Sequence, residues 1–370
     1  MLLATVTPLA SILGSGLLII VPVLERTLGG LSVLGAVAVC AVAWVVGTAI
    51  RHCIRVVEPL ENSGDLDRTT ARLGRLGDAV IVVAYVISVA LYLRIMAEYV
   101  TGFVGSGGTG VEKVIACSAV ALIIGIGVTR GFAGLDLLDR VSLGAVLILT
   151  MVLGATLLVH DGGQLLGDGL SLPPVPDLGI GQIMLVLGGI VITVQGFETV
   201  RYLGDEYDAQ TRIRASRLAQ GTATVLYIAF VVVATPVMGL GTSAGPDETL
   251  LDITDRVAPF LALPLVLSAV LSQFSAAIAD TAAADGNFRS LSSWMTGARP
   301  YLLSGTAAIL LAATVPTFTI VAVASRAFAA YYAIQALIAL RTSRGAGPRI
   351  GYGVLMALMI AITLLAETAG

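Results

Sequence analysis

Long apolar runs separated by short charged clusters divide this chain into eleven stretches, each near the length of about 20 residues that crosses a bilayer as a helix. They cover residues 2–24, 31–50, 79–99, 114–128 and 141–159, a sixth beginning near 181, then 222–240 and 260–284, two between 301 and 340, and 354–366. The 301–340 run is about 60 Å long as helix, twice a hydrocarbon core, so it is divided at Val315-Pro316. The polar stretch after the second run, with Arg51, Arg55, Arg68, Arg72 and Arg75 among acids, reads as a loop with a short surface helix. Residues 250–257 suit a short amphipathic helix.

Two of these spans contain an interruption. Gly14, Ser15 and Gly16 stand in the middle of the first, and Gln195, Gly196, Phe197 and Glu198 stand in the sixth. Glycine around a small polar residue marks a place where a helix gives up its regular hydrogen bonding. Lipid cannot satisfy backbone groups freed in this way, so such a break persists only where protein, water, an ion or a solute takes them up. The breaks lie five spans apart, an odd number, which makes the two halves opposite in orientation. Paired breaks in inverted halves point to a midplane binding site of a carrier. The alternative for Gly14 and Gly16 is close helix packing, a common use of small residues in membranes.

Composition supports this picture. The chain has 370 residues, 57% hydrophobic and 12% charged, which excludes an ordinary soluble domain. Its net charge is -3, and no basic tract suited to nucleic acid is present. No charged n-region with a cleavage site precedes the first span, so a removable signal peptide is not expected. Cys40, Cys53 and Cys117 are scattered, His52 and His160 are isolated, and neither metal-ligand spacing nor a hydrolase or nucleotide-binding motif occurs. No enzymatic activity and no organic cofactor are expected. Most arginines cluster after the even-numbered spans, which predicts a multi-pass protein of the cell membrane with a cytoplasmic N-terminus.

The residues Gly14-Ser15-Gly16 with Pro22 and Gly29-Gly30, together with Gly196-Phe197-Glu198 and Gly204-Asp205-Glu206, resemble the first- and sixth-helix motifs of the amino acid–polyamine–organocation (APC) transporters. The resemblance implies an all-α membrane bundle of the LeuT-like kind, a five-plus-five inverted repeat with helices 1 and 6 broken. It divides the chain into residues 1–160, residues 161–340, and an added eleventh helix in 341–370. It also implies alternating access, with spans one, two, six and seven rocking against a scaffold. Where relatives often carry an aromatic residue before Gly-Phe-Glu, this chain has Ile192-Thr193-Val194-Gln195.

The same resemblance implies the site. Backbone N–H groups around Gly14, Ser15, Gly16 and Leu17 would hold a substrate carboxylate, and carbonyls of Gln195, Gly196 and Phe197 an amino group. Glu198 would either cap the second half-helix or take part in coupling. From their spacing alone, Tyr85 and Tyr92 share one face of span three, where core packing is the first reading for both and Tyr92 is the candidate of the two to touch substrate. Ala277, Asp280 and Thr281 resemble the eighth-helix sodium pattern, with an acid at a hydroxyl position, and carbonyls of Ala10 and Leu13 complete a candidate Na+ site; a proton carrier is the alternative for Asp280. Arg94 with Glu98, an i,i+4 pair, and Arg326 are candidate gate residues. The expected function is a secondary-active transporter in the lipid bilayer for an amino acid or related small carboxylate, coupled to Na+ in preference to H+. Proton-coupled or exchange transport of another organic solute, or a non-transporting sensor, are the alternatives. The sequence does not bear on oligomeric state.

Overall fold

The computed structural model describes residues 1–14, 16–105, 108–167, 169–238 and 259–365, so Ser15 and the 250–257 segment lie outside the described residues. Among these residues every regular element is helical, as a chain that must satisfy its backbone without water requires. The first span is split into α1 (Leu2–Leu13) and α2 (Gly16–Leu28). Then come α3 (Ser32–His52), α4 (Glu58–Ser63) and α5 (Arg68–Val104). The stretch Thr109–Leu166 is divided at Gly131, whose φ of 60° lies in the left-handed region that favours glycine, giving α6 (Thr109–Gly131) and α7 (Leu137–Leu166).

The sixth span consists of α8 (Ile180–Ile190), a 3-10 turn over Val191–Val194, and a second over Phe197–Tyr202. The chain continues through α9 (Ala209–Met238), α10 (Ala262–Leu291), α11 (Arg299–Thr314), α12 (Thr317–Thr342) and α13 (Ala346–Leu365). Eight helices among the described residues are long and apolar enough to cross a membrane. The two interrupted stretches contribute only shorter apolar helices, Leu2–Leu13 and Ile180–Ile190.

Helix ends depart from the apolar runs in one consistent way. A polar loop was expected after the second run, yet α3 continues through a π-helical turn, Cys53–Val57, into α4. The third span begins at Arg68 and not at the first apolar residue, because Asp67 accepts hydrogen bonds from the N–H groups of Thr69 and Thr70, both at 3.0 Å. A membrane helix can extend into water wherever its ends are capped and its side chains are charged. Hydrophobicity marks only the part inside lipid. The division at Pro316 follows from its extended φ/ψ and missing N–H: α11 ends at Thr314 and α12 starts at Thr317.

The centre of the bundle is α10, which packs against α5, α1, the α6–α7 pair and α11. α5 in turn packs against α12, and α1 and α3 both pack against α9. α13 lies at the edge on α12. The buried core therefore runs along α10 and α5, with both broken spans laid against it.

Candidate solute and cation site

The two breaks meet. α1 stops at Leu13 and α2 begins at Gly16, while Gly196 between the two 3-10 turns has φ 123°, a conformation that favours glycine. A Cβ on Gly196 would stand 2.6 Å from both the Ile12 nitrogen and the Ser11 hydroxyl, and one on Gly16 would stand 1.9 Å from the Thr193 carbonyl oxygen. A Cβ on Gly14 would stand 2.2 Å from the Cβ of Ala276 on α10. Glycine at these places lets three backbones approach more closely than side chains permit, which is the packing role weighed for Gly14 and Gly16.

The freed backbone groups have protein partners. The Tyr227 hydroxyl of α9 lies 2.6 Å from the Ile12 carbonyl and 3.0 Å from that of Thr193, and its single proton serves one at a time. Gln273 donates to the Gly14 carbonyl at 3.1 Å. The Gly196 N–H donates to Glu198 Oε2 at 2.9 Å, and the Thr199 hydroxyl donates to the Gly196 carbonyl at 2.8 Å. Gln195 reaches from the second break to α5, donating through Nε2 to the Tyr92 hydroxyl at 2.8 Å.

Two carboxylates sit in this dry region. Glu198 and Asp280 are both 0% exposed, and no Arg, Lys or His forms an ion pair with either among the described residues. Asp280 Oδ1 accepts from the Ser11 hydroxyl of α1 at 2.6 Å, and Oδ2 accepts from the Ser88 hydroxyl of α5. Glu198 Oε2 also accepts from the Tyr332 hydroxyl of α12 at 2.8 Å, and the Tyr332 ring stacks on Phe197 with centroids 5.6 Å apart. Burying one carboxylate costs several kcal/mol, and hydrogen bonds to a charged group return about 1.5–3 kcal/mol each. Two bonds per acid roughly offset that cost but leave the negative charge itself unpaired, and a proton or a cation is what would neutralise it. The Oε1 atoms of Gln195, Glu198 and Gln273 are buried without a hydrogen-bond partner, which adds three acceptors to a negative site.

The other sequence candidates fall as follows. Ala10 and Leu13 are buried at the end of α1 beside this cluster, and the Leu17 backbone lies in the first turn of α2. The Thr281 hydroxyl donates to the Ala277 carbonyl at 2.7 Å within α10, so those two face each other. Arg94 and Glu98 do not make the direct contact expected from their spacing. Thr317 at the start of α12 stands between them, accepting from Arg94 Nε at 3.2 Å and donating to Glu98 Oε1 at 2.8 Å, while Arg94 lies 4.0 Å from Glu112. Arg326 is exposed on α12. Sequence reasoning passed over Ser11, Ser88, Tyr227, Gln273 and Tyr332. Their signal was polarity inside apolar spans, and only the crossing of helices says which such residues converge.

Beyond the site, where the sixth span ends, a second network joins three helices. Arg201 lies 3.7 Å from Asp78 Oδ1 of α5. The Tyr202 hydroxyl lies 3.2 Å from the same oxygen and 3.1 Å from the Tyr331 hydroxyl of α12, and Asn287 of α10 donates to the Asp78 carbonyl at 2.8 Å.

With this geometry in hand, comparison with known proteins is informative. A family model described as APC superfamily transporter matches residues 1–366. A relative from Aquifex aeolicus (strain VF5), itself uncharacterized, is 33% identical over 340 residues, spanning 90% of this chain and 82% of its own. Among solved structures, that of Mhp1, a nucleobase-cation-symport-1 family transporter in a closed conformation with bromovinylhydantoin bound, aligns with a TM-score of 0.61 at 12% identity, covering 99% of this chain and 91% of that one.

Proposed function

The chain belongs to the APC superfamily of transporters, and from that premise we propose that it is a secondary-active, cation-coupled carrier of an amino acid or related small carboxylate. The observation that supports coupling is the pair of wholly buried acids, Glu198 and Asp280, on opposite sides of the touching breaks with no basic partner among the described residues. A cation is what such a site lacks for electroneutrality. Asp280 with Ser11 and Ser88 offers oxygen donors from three helices, beside the carbonyl end of α1 at Ala10 and Leu13, and oxygen sets of this kind suit a hard ion such as Na+. Occupation of that site would tie α1 to α5 and α10, so ion binding and the position of the broken helix would be linked.

For the solute, the Gly16 and Leu17 backbone in the first turn of α2 suits a carboxylate, through its N–H groups and the helix dipole, while the Gly14 N–H is already given to the Ser11 carbonyl at the end of α1. Glu198, Gln195 and Gln273 suit N–H donors, as an ammonium group presents. Tyr92 is held toward this place by Gln195. Arg94 and Glu98, bridged by Thr317, remain gate candidates at the end of α5 away from Asp78 and Arg201, with Arg326, exposed partway along α12, as the third. A second reading has support in the hydantoin bound by Mhp1 and in the acceptor-rich site: a flat heterocycle with ring N–H groups in place of an amino acid.

Uptake into proteoliposomes tests both readings, using a panel of amino acids, nucleobases and hydantoins driven by a Na+ gradient, a pH gradient, or neither. We expect Na+-driven uptake of an amino acid that Asp280→Asn abolishes. Uptake driven by pH alone would move Asp280 to the role of proton carrier, and transport of heterocycles only would replace the amino acid reading.

A further inference from the structure

Arg51 stands apart from the other deeply buried arginines. Arg94 and Arg212, also buried, each face a carboxylate, Glu112 at 4.0 Å and Glu58 at 2.5 Å. Arg51, 4% exposed, has only neutral partners: the Gln220 side-chain oxygen, the Ser216 hydroxyl at 3.3 Å, the Trp44 carbonyl at 3.3 Å and the Trp44 ring, 5.0 Å from its centroid. Its side chain runs back toward the start of α3, lying against Gly47, where a Cβ would stand 2.7 Å from the guanidinium. The charge is therefore drawn about one turn, some 5 Å, further into the apolar span than its own backbone, the reverse of snorkelling. Arg55, four residues on in the π-helical turn that continues α3, and Arg217, next to the Ser216 that accepts from Arg51, are exposed, and none of the three pairs with an acid among the described residues. Trp44, whose carbonyl and ring Arg51 meets, is itself 41% exposed, so this side of α3 faces the surrounding lipid.

We propose that the seam between α3 and α9 binds the headgroup phosphate of an anionic glycerophospholipid, held by Arg55 and Arg217 with the buried charge of Arg51 behind them, and with an acyl chain along Trp44. Three cations without a counter-charge, one of them desolvated, make the site, and the exposed apolar wall leading away from them selects a lipid over a free anion. The arginine distribution along the chain assigns this end to the cytoplasmic leaflet, where anionic headgroups give about 1 kcal/mol, or a factor of about five, per basic residue. The inference is independent of what the carrier transports.

The test is retention of lipid by the full-length purified protein. After delipidation in detergent and exposure to an equimolar mixture of phosphatidylglycerol, cardiolipin and phosphatidylcholine, bound lipid is counted by native mass spectrometry. We expect an anionic lipid to be retained in preference to phosphatidylcholine, and Arg55→Gln and Arg217→Gln, both at exposed positions that leave the fold intact, to weaken retention about fivefold each. Arg51→Gln, provided its circular dichroism and melting match the parent, should weaken it further. Equal retention of phosphatidylcholine, or unchanged retention in the Arg55→Gln/Arg217→Gln protein, overturns the proposal. Displacement of the lipid by millimolar inorganic phosphate would also overturn it, by showing that the site takes a soluble anion.

Discussion

At the scale of single residues, the site depends on the absence of atoms as much as on their presence. Gly16 has room for no side chain, since a Cβ would fall 1.9 Å from both the Thr193 carbonyl oxygen and the Tyr227 hydroxyl. Gly16→Ala should therefore push the two broken spans apart, costing about 1–3 kcal/mol as overpacking does. A thermal melt in detergent should fall, and solute binding should be lost more steeply than stability. Tyr227→Phe removes the donor shared by Ile12 and Thr193 and leaves a buried carbonyl short of a partner, at a cost of about 1–3 kcal/mol. Its melting temperature should drop while α9 keeps its place, because the ring is retained. Asp280→Asn keeps the shape and removes the charge. Its readout is the ion dependence of transport, with little change in melting.

At the scale of elements, the contacts that matter join helices of different spans. Arg201 and Tyr202 tie the end of the sixth span to Asp78 on α5, Tyr331 on α12 and, through the Asp78 backbone, Asn287 on α10. The proposed rocking motion must break this network to open that side. Asp78→Asn should therefore raise the labelling of a cysteine at Ser88 by a membrane-impermeant thiol reagent applied from that face; unchanged labelling would remove the network from gating. The start of α5 carries a titratable device of its own. The Thr70 hydroxyl and then its N–H, with Arg341 nearby, hold the Asp67 carboxyl below the ordinary aspartate value of 3.8. A depressed folded-state value means that this cap stabilises the protein above pH 3.8 and loses its contribution as pH falls through the lower folded value. The difference in melting temperature between the parent and Asp67→Ala should accordingly be present at neutral pH and shrink in strong acid.

At the scale of the whole molecule, Glu198, Asp280, Ser11, Ser88 and Gln195 are all buried, so under the proposed function a solute would reach them only after helices move. A stabilising ligand should therefore act through its differential affinity for this form, and Na+ together with the transported solute should raise the melting temperature more than either alone. The residues that break the helices were legible in the chain because Gly14 and Gly16 flank a serine and Gly196 stands between Gln195 and Phe197-Glu198 in otherwise apolar runs, whereas single glycines such as Gly35 and Gly47 leave α3 unbroken. The eight long apolar helices among the described residues were legible for a different reason: transfer to lipid is additive along a run and needs no partner. Helix ends were not, since Arg68 and Asp67 extend α5 into water where hydrophobicity carries no signal. Nor was the bridge of Thr317 between Arg94 and Glu98, because i,i+4 spacing says what is near on one helix and nothing of what a second helix inserts. The sequence by itself determined that this chain crosses a membrane many times and comes undone twice. That Ser11 and Ser88 both close on Asp280, and that Gly196 lies against Ile12, was decided by tertiary structure alone, because side chains 192 or more positions apart share a hydrogen bond only after the helices have chosen where to cross.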